Sequence, residues 1–182
     1  MPNPRRQWSL RTRSARGRGQ TPRTRLALLC LPRRDPEPGA DLDIVDRHFA
    51  AENAHDVEAT LATYDEDIVW DDITHPLSPI HGKAAVGAVY SSIIDAIPDI
   101  KLTSIRRFSS GDGNWVVDES IAGGHVHGEW AGIEGGGAPV EIRMLHVFEL
   151  RDGLIVYENT WFDSAAVRRQ VDAWREGREE SD

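Results

Sequence analysis

Cysteine is nearly absent from this chain of 182 residues: Cys30 stands alone, so no disulfide can form within it, and the redox compartment is left open. Lysine is almost as scarce, with Lys83 and Lys101 the only two and every other basic residue an arginine, which points to base composition rather than function. Apolar runs are short. None approaches the roughly 20 residues of a membrane span, so no membrane contact is expected and the chain is placed in the cytoplasm. Acids are lacking before Asp35, whereas bases are outnumbered after residue 40. The first 40 residues hold ten arginines against Asp35 and Glu37, a net +8; the rest hold 11 basic against 28 acidic residues, a net −17, and together they make the −9 of the whole. An acidic globular part is a poor partner for nucleic acid, because phosphate binding needs clustered Lys and Arg. Only the basic N-terminal stretch offers that charge.

What is present suits one domain of about 100 to 200 residues plus a tail. A core of that size buries about 70% of the unfolded surface, so neither metal nor disulfide is needed for stability. Residues 1–39 mix Arg, Pro, Gly, Ser and Thr without hydrophobic periodicity and are expected to be a disordered Arg-rich extension. Other readings stay open. Arg5-Arg6-Gln7-Trp8 with Leu10 is similar to a twin-arginine export signal, yet Leu26 to Leu31 is shorter than the roughly 7 to 15 apolar residues such a signal uses. A presequence, a basic arm on nucleic acid and a start codon placed too far upstream are the alternatives. Residues 40–176 are expected to form the domain and 177–182 a C-terminal tail.

The strongest pattern lies in Ala138 to Asp163. Val140, Ile142, Met144, His146, Phe148 and Leu150 alternate with Glu141, Arg143, Leu145, Val147, Glu149 and Arg151, the period of a strand with one apolar face. Arg151-Asp152-Gly153 is turn chemistry, and Leu154 to Phe162 resumes a β-rich run, so a long hairpin is predicted. Upstream, Leu42, Val45 and Phe49 share one helical face, and a second helix is predicted over Val57 to Tyr64 behind an Asp56 cap. A short strand, Ile68 to Trp70, leaves Asp71 and Asp72 at its end. Val86, Val89, Tyr90, Ile93, Ile94 and Ile97 recur at helical spacing over Lys83 to Ile97, a helix that stops before Pro98. Strands are predicted over Ile100 to Phe108, Asn114 to Ala122 and, after a break at Gly123-Gly124, His125 to Ile133. A last helix runs from Ser164 to Arg175 behind an Asp163 cap. Three helices followed by strands on tight turns predict an α+β fold with a curved antiparallel or mixed sheet wrapped on the N-terminal helices.

Tyr64-Asp65-Glu66-Asp67 before Ile68-Val69-Trp70, the Gly82-opened helix ending in Ile97-Pro98-Asp99, Gly124-x-x-x-Gly128-Glu129, Phe148 with Asp152-Gly153-Leu154-Ile155, and closing Phe162-Asp163 succeed one another in a specific order. In that order they resemble the SnoaL-like polyketide cyclase branch of the nuclear transport factor 2-like superfamily, over about Asp41 to Val171. The resemblance implies a cone of curved sheet with an apolar pocket, a homodimer built on the exposed sheet face, and a place in secondary metabolism. It also implies acid/base cyclisation or isomerisation of an apolar polyketide- or terpenoid-like substrate, with no cofactor; a non-catalytic ligand-binding or dimerisation module is the alternative, because one fold hosts many functions.

In the relatives a carboxylate on the final strand works beside a histidine on the preceding one. The histidine matches His146. The carboxylate position falls on Thr160, and an accompanying glutamine falls on Met144; a threonine cannot relay a proton near neutral pH as a carboxylate can. His146, with a reference pKa near 6.5, is the first catalytic candidate, against the alternative of a core histidine satisfied by one neighbour. Asp72, after Trp70 at a cavity mouth, is the second. Asp118 is the third, since an aspartate in mid-strand runs against β propensity. Trp70, Tyr90, Trp130, Met144, Phe148 and Thr160 are the candidate substrate contacts, with ordinary core as the competing reading for the large ones. His125-Val126-His127 places two imidazoles at a spacing that metal sites use, but without an evident third ligand no metal is expected.

Overall fold

The computed structural model describes residues 40–180, with side chains from residue 44 onward, so the expectations for residues 1–39 lie outside the described residues. Four helices and eight strands are described. Helix α1 (Ala40–Asn53) turns Ile44, Val45, His48 and Phe49 inward. Asp56 caps helix α2 (Val57–Ala62), its carboxylate accepting from the Ala59 amide at 2.9 Å. That helix ends two residues earlier than its periodicity suggests. Tyr64 instead opens strand β1 (Tyr64–Asp72), which is nine residues long rather than three and contains Asp71 and Asp72. The reason is tertiary: β1 pairs in parallel with strand β8 (Leu154–Phe162), and that pairing buries Tyr64, Ile68 and Trp70, which outweighs local helix preference.

Strand β2 (Ile80–His81) adds to the free edge of β1, and helix α3 (Lys83–Ala96) buries Val86 and Tyr90. Strands β3 (Lys101–Ser109), β4 (Trp115–Val126) and β7 (Ala138–Arg151) complete a sheet of order β2-β1-β8-β7-β4-β3. Only the β1–β8 pairing is parallel, so the fold is α+β with a mixed, curved sheet, as expected. Register shifts in three pairings bend it.

The break expected at Gly123-Gly124 is absent. Strand β4 runs straight through it, and Gly124 serves close approach rather than a turn. A Cβ on Gly124 would meet Ile97 Cγ2 at 2.7 Å and Ile100 Cα at 3.1 Å, where the chain leaving α3 crosses the strand. The strand stops instead at Val126, since the next two amides, of His127 and Gly128, turn away to the Ala96 carbonyl at the end of α3. Beyond that point the chain forms a separate small hairpin of β5 (Glu129–Trp130) and β6 (Ile133–Glu134). Asp163 caps helix α4 (Ser164–Glu179), accepting from the Ala165 and Ala166 amides at 2.9 and 3.2 Å.

Along β7 the alternation holds throughout: Val140, Ile142, Met144, His146, Phe148 and Leu150 are all buried. Two apolar clusters lie on that inner face. One gathers Trp130, Ile142, Met144 and Phe162 with Val167 and Val171 of α4; the other gathers Phe148 with Phe49, Tyr64, Ile68, Val86 and Tyr90. His146 sits between Met144 of the first and Phe148 of the second. Among the described residues no helix is long and apolar enough to cross a membrane.

Candidate functional site

Strand register assembles the site. Asp72 lies opposite Thr160, Thr160 opposite His146, and His146 opposite Asp118, so one rung across β1, β8, β7 and β4 carries four polar side chains on the inner face. Their exposures are 7, 4, 3 and 0%. Neighbouring strands are about 4.8 Å apart, which sets Asp72 and His146 about 10 Å apart with the smaller Thr160 between them. The adjacent rung is Trp70, Glu158, Phe148 and Val116.

Two connected hollows meet this rung. An outer cleft of about 640 Å³ runs between the loop at Thr74 to Leu77, α3 and the Trp130 hairpin. An inner cavity of about 60 Å³ is walled by His146, Thr160, Met144, Tyr90, Glu52 and Glu158, among others. Trp70, Asp72, Ile93 and Trp130 line both, so Asp72 stands at the junction. The inner space suits one or two waters or a small polar head, each water occupying about 30 Å³. The body of a ligand would fill the cleft.

His146 is held by flat packing. Its ring stacks on Phe148 at 5.8 Å between centroids with 7° between planes, and meets the edge of Phe49; its Nδ1 has a long contact of 3.4 Å with Ser120 Oγ. Asp72 Oδ1 accepts from the Thr74 amide at 2.7 Å and the Thr74 hydroxyl at 2.8 Å. Burial pushes its pKa above the ordinary carboxylate value, while the Thr74 bonds and nearby His75 pull the other way without cancelling the rise. The Trp70 indole N–H is buried and has no partner, leaving a donor for a ligand oxygen in a site that Trp70 walls on both sides.

Of the remaining residues singled out in the sequence, Tyr90, Met144, Thr160 and Trp130 line the inner cavity. Phe148 and Asp118 line neither hollow. Phe148 is the fully buried floor beneath His146. Asp118 Oδ2 accepts from Arg107 Nε at 2.7 Å and Ser104 Oγ at 2.5 Å, and Arg107 reaches on to Asp46. The paired imidazoles expected at His125 and His127 do not share a strand face, because β4 ends between them; His125 Nδ1 contacts Asp99 at 2.6 Å.

Four residues behind the cavity lie outside the set that the sequence singles out. His48 and Glu52 on α1, Tyr64 on β1 and Glu158 on β8 form a buried polar cluster that Tyr90 joins. The Tyr64 hydroxyl donates to Glu158 and lies 2.7 Å from the Tyr90 hydroxyl. Burial alone would lower the His48 pKa, but the charges of Glu52 and Glu158 more than reverse that and carry it to about 10. Burial raises both tyrosines, and the Glu158 charge raises them further. The i, i+4 spacing of His48 and Glu52 within a helix was the available signal. Glu158 was visible too, two residues before Thr160 and hence on the same strand face. The final strand therefore carries an inward carboxylate, one rung away from Thr160.

A family model describing the SnoaL-like domain matches residues 45–158. A candidate polyketide cyclase from Xanthomonas campestris pv. campestris aligns with a TM-score of 0.66 at 23% identity, covering 72% of this chain and 96% of that one. A candidate SnoaL-like polyketide cyclase from Jannaschia sp. CCS1 gives 0.67 at 18% identity, covering 77% and 98%. TerC, co-crystallised with polyporic acid, gives 0.61 at 15% identity, covering 73% and 98%. At these identities the likeness is one of fold. No curated protein matches the sequence.

Proposed function

The chain belongs to the SnoaL-like domain family, and on that premise we propose that it is a small-molecule enzyme that cyclises or isomerises an apolar, polyketide- or terpenoid-like carbonyl compound. The observation that carries this reading is the rung itself: Asp72, Thr160 and His146 face the same inner cavity, and Asp72 also borders a cleft large enough for the body of a polycyclic ligand. In this mechanism His146 takes a proton from the carbon next to the carbonyl. Asp72, which its burial favours in the protonated form, gives a proton to the carbonyl oxygen, and the Trp70 N–H stabilises the charge that develops there. The resulting enol either attacks a second carbonyl, closing a ring, or regains a proton at another carbon. Thr160 spaces the two groups and carries no proton. That TerC was co-crystallised with polyporic acid supports an organic ligand of this size in the fold.

Deuterium exchange tests the chemistry without the natural substrate. A bicyclic enolisable ketone such as 2-tetralone, incubated in D2O, is expected to gain deuterium faster with the protein than without it, with the excess falling about 100-fold in His146→Ala. Unchanged exchange in that variant overturns the assignment. A ketone or polyporic acid that raises the melting temperature with no exchange identifies the binding-module alternative instead. We also propose a homodimer on the outer sheet face, where Leu145 and Trp161 oppose each other across β7 and β8 and remain 39 and 49% exposed. Leu145→Glu is expected to halve the mass in solution; an unaltered dimer rules that face out.

A further inference from the structure

The cluster behind the cavity has the form of a cation site. Four oxygens surround His48 Nε2: Glu52 Oε1, Glu158 Oε2 and the Tyr64 hydroxyl at 3.4 Å, and the Tyr90 hydroxyl at 3.5 Å. All four distances exceed the 2.7 to 3.2 Å of a well-made N–H···O bond. The two carboxylate distances do match the separation of two ligands on one metal, because bonds of about 2.1 Å at a tetrahedral angle place ligand atoms about 3.4 Å apart. His48 Nε2 and the two carboxylate oxygens all lie within 4.8 Å of one another.

The imidazole is also presented in the tautomer that a metal needs. The Thr63 hydroxyl donates to the Thr60 carbonyl at 2.6 Å, so at 2.9 Å from His48 Nδ1 it can only accept. Nδ1 therefore carries hydrogen, and Nε2 is the ring atom directed at the carboxylates, where a metal ion would take the place of its proton. Independently, Glu52 Oε2 is buried and has no hydrogen-bond partner, on a side chain only 9% exposed that lines the inner cavity. Among the described residues neither carboxylate pairs with Lys or Arg, so two buried negative charges share one imidazole. A cation supplies the charge that this arrangement lacks.

We propose that His48, Glu52 and Glu158 hold a divalent first-row transition-metal ion such as Zn²⁺, with its fourth position open to the inner cavity. One imidazole and two carboxylates form a mixed nitrogen and oxygen set that suits Zn²⁺, Mn²⁺ or Fe²⁺ better than Ca²⁺ or Mg²⁺. Three protein ligands leave room for a water or a substrate oxygen on the side where Glu52, Glu158 and Tyr90 wall the cavity. The assignment does not depend on the acid/base reading of the His146 rung.

The test is calorimetric and spectroscopic. The full chain, stripped with chelator, is titrated with Zn²⁺ and, separately, with Co²⁺. One ion per chain is expected to bind at micromolar or tighter affinity, and the Co²⁺ form to show the intense visible bands of a four-coordinate site. Glu52→Gln, which preserves volume at the least buried ligand, is expected to weaken binding more than about 100-fold, and Thr63→Val, which frees the imidazole tautomer, about 10-fold. Replacing His125 and His127 together should change nothing. Absence of saturable one-to-one binding, or binding that survives Glu52→Gln and His48→Gln in folded protein, overturns the proposal.

Discussion

Asp72 and Asp118 end the same stretch of one rung on the inner sheet face, and both are buried, yet the fold assigns them opposite tasks. Asp118 meets a guanidinium. Arg107 reaches it from the paired strand β3 with a side chain only 12% exposed, and the resulting ion pair closes that end of the rung. Asp72 meets only the hydroxyl and amide of Thr74, borders both hollows, and has its pKa raised by burial. Burial alone therefore does not make a carboxylate reactive. What separates the two is whether a cation arrives with it: Arg107 pairs with Asp118, whereas Asp72 has no such partner and its burial raises its pKa.

Removing either side chain sharpens the contrast. Asp118→Ala leaves Arg107 largely buried with only the exposed Asp46 as partner and should cost about 3 kcal/mol of folding stability by urea denaturation; a loss below about 1 kcal/mol would erase the structural role given to that end. Asp72→Asn is the converse. It should lower ketone exchange by about 100-fold while leaving stability equal or higher at neutral pH. Its sign comes from the raised pKa. Between the ordinary value of 3.8 and the raised one, the folded chain holds a proton that the unfolded chain releases, so the stability of the parent falls as pH rises through that window. Asp72→Asn should remove that fall, and an identical pH slope in parent and variant would show that the carboxylate is not perturbed. Thr160→Val, between the two, is expected to have the smallest effect: under about 1 kcal/mol in stability and a few-fold in exchange. A loss as large as that of Asp72→Asn would mean that the hydroxyl takes part in proton transfer after all.

Much of the fold and part of the site are legible in the sequence. The alternation of β7 names its inner face residue by residue, the spacing in α3 identifies Val86 and Tyr90 as buried, and Asp56 and Asp163 cap the helices that start beside them. Other features mislead for physical reasons. Tyr64 fits a helical face locally but is claimed by strand pairing with β8. Gly123 and Gly124 look like punctuation, but the strand runs through both and Gly124 provides clearance for the chain leaving α3. The cluster of His48, Glu52 and Glu158 is hidden because its members lie on two elements more than 100 residues apart in sequence, and only the fold brings them together.

By itself the sequence determined which side of each element faces inward, because the periods of 2 and 3.6 residues are local properties of a chain. It could not determine which inward groups meet. Tyr64 and Glu158 are 94 residues apart in sequence, and Asp72 reaches the His146 rung only through a parallel register between the first and last long strands. Those meetings, and with them the difference between an ion-paired Asp118 and an unpaired Asp72, were decided by the tertiary structure, because charge and burial act through space, not along the backbone.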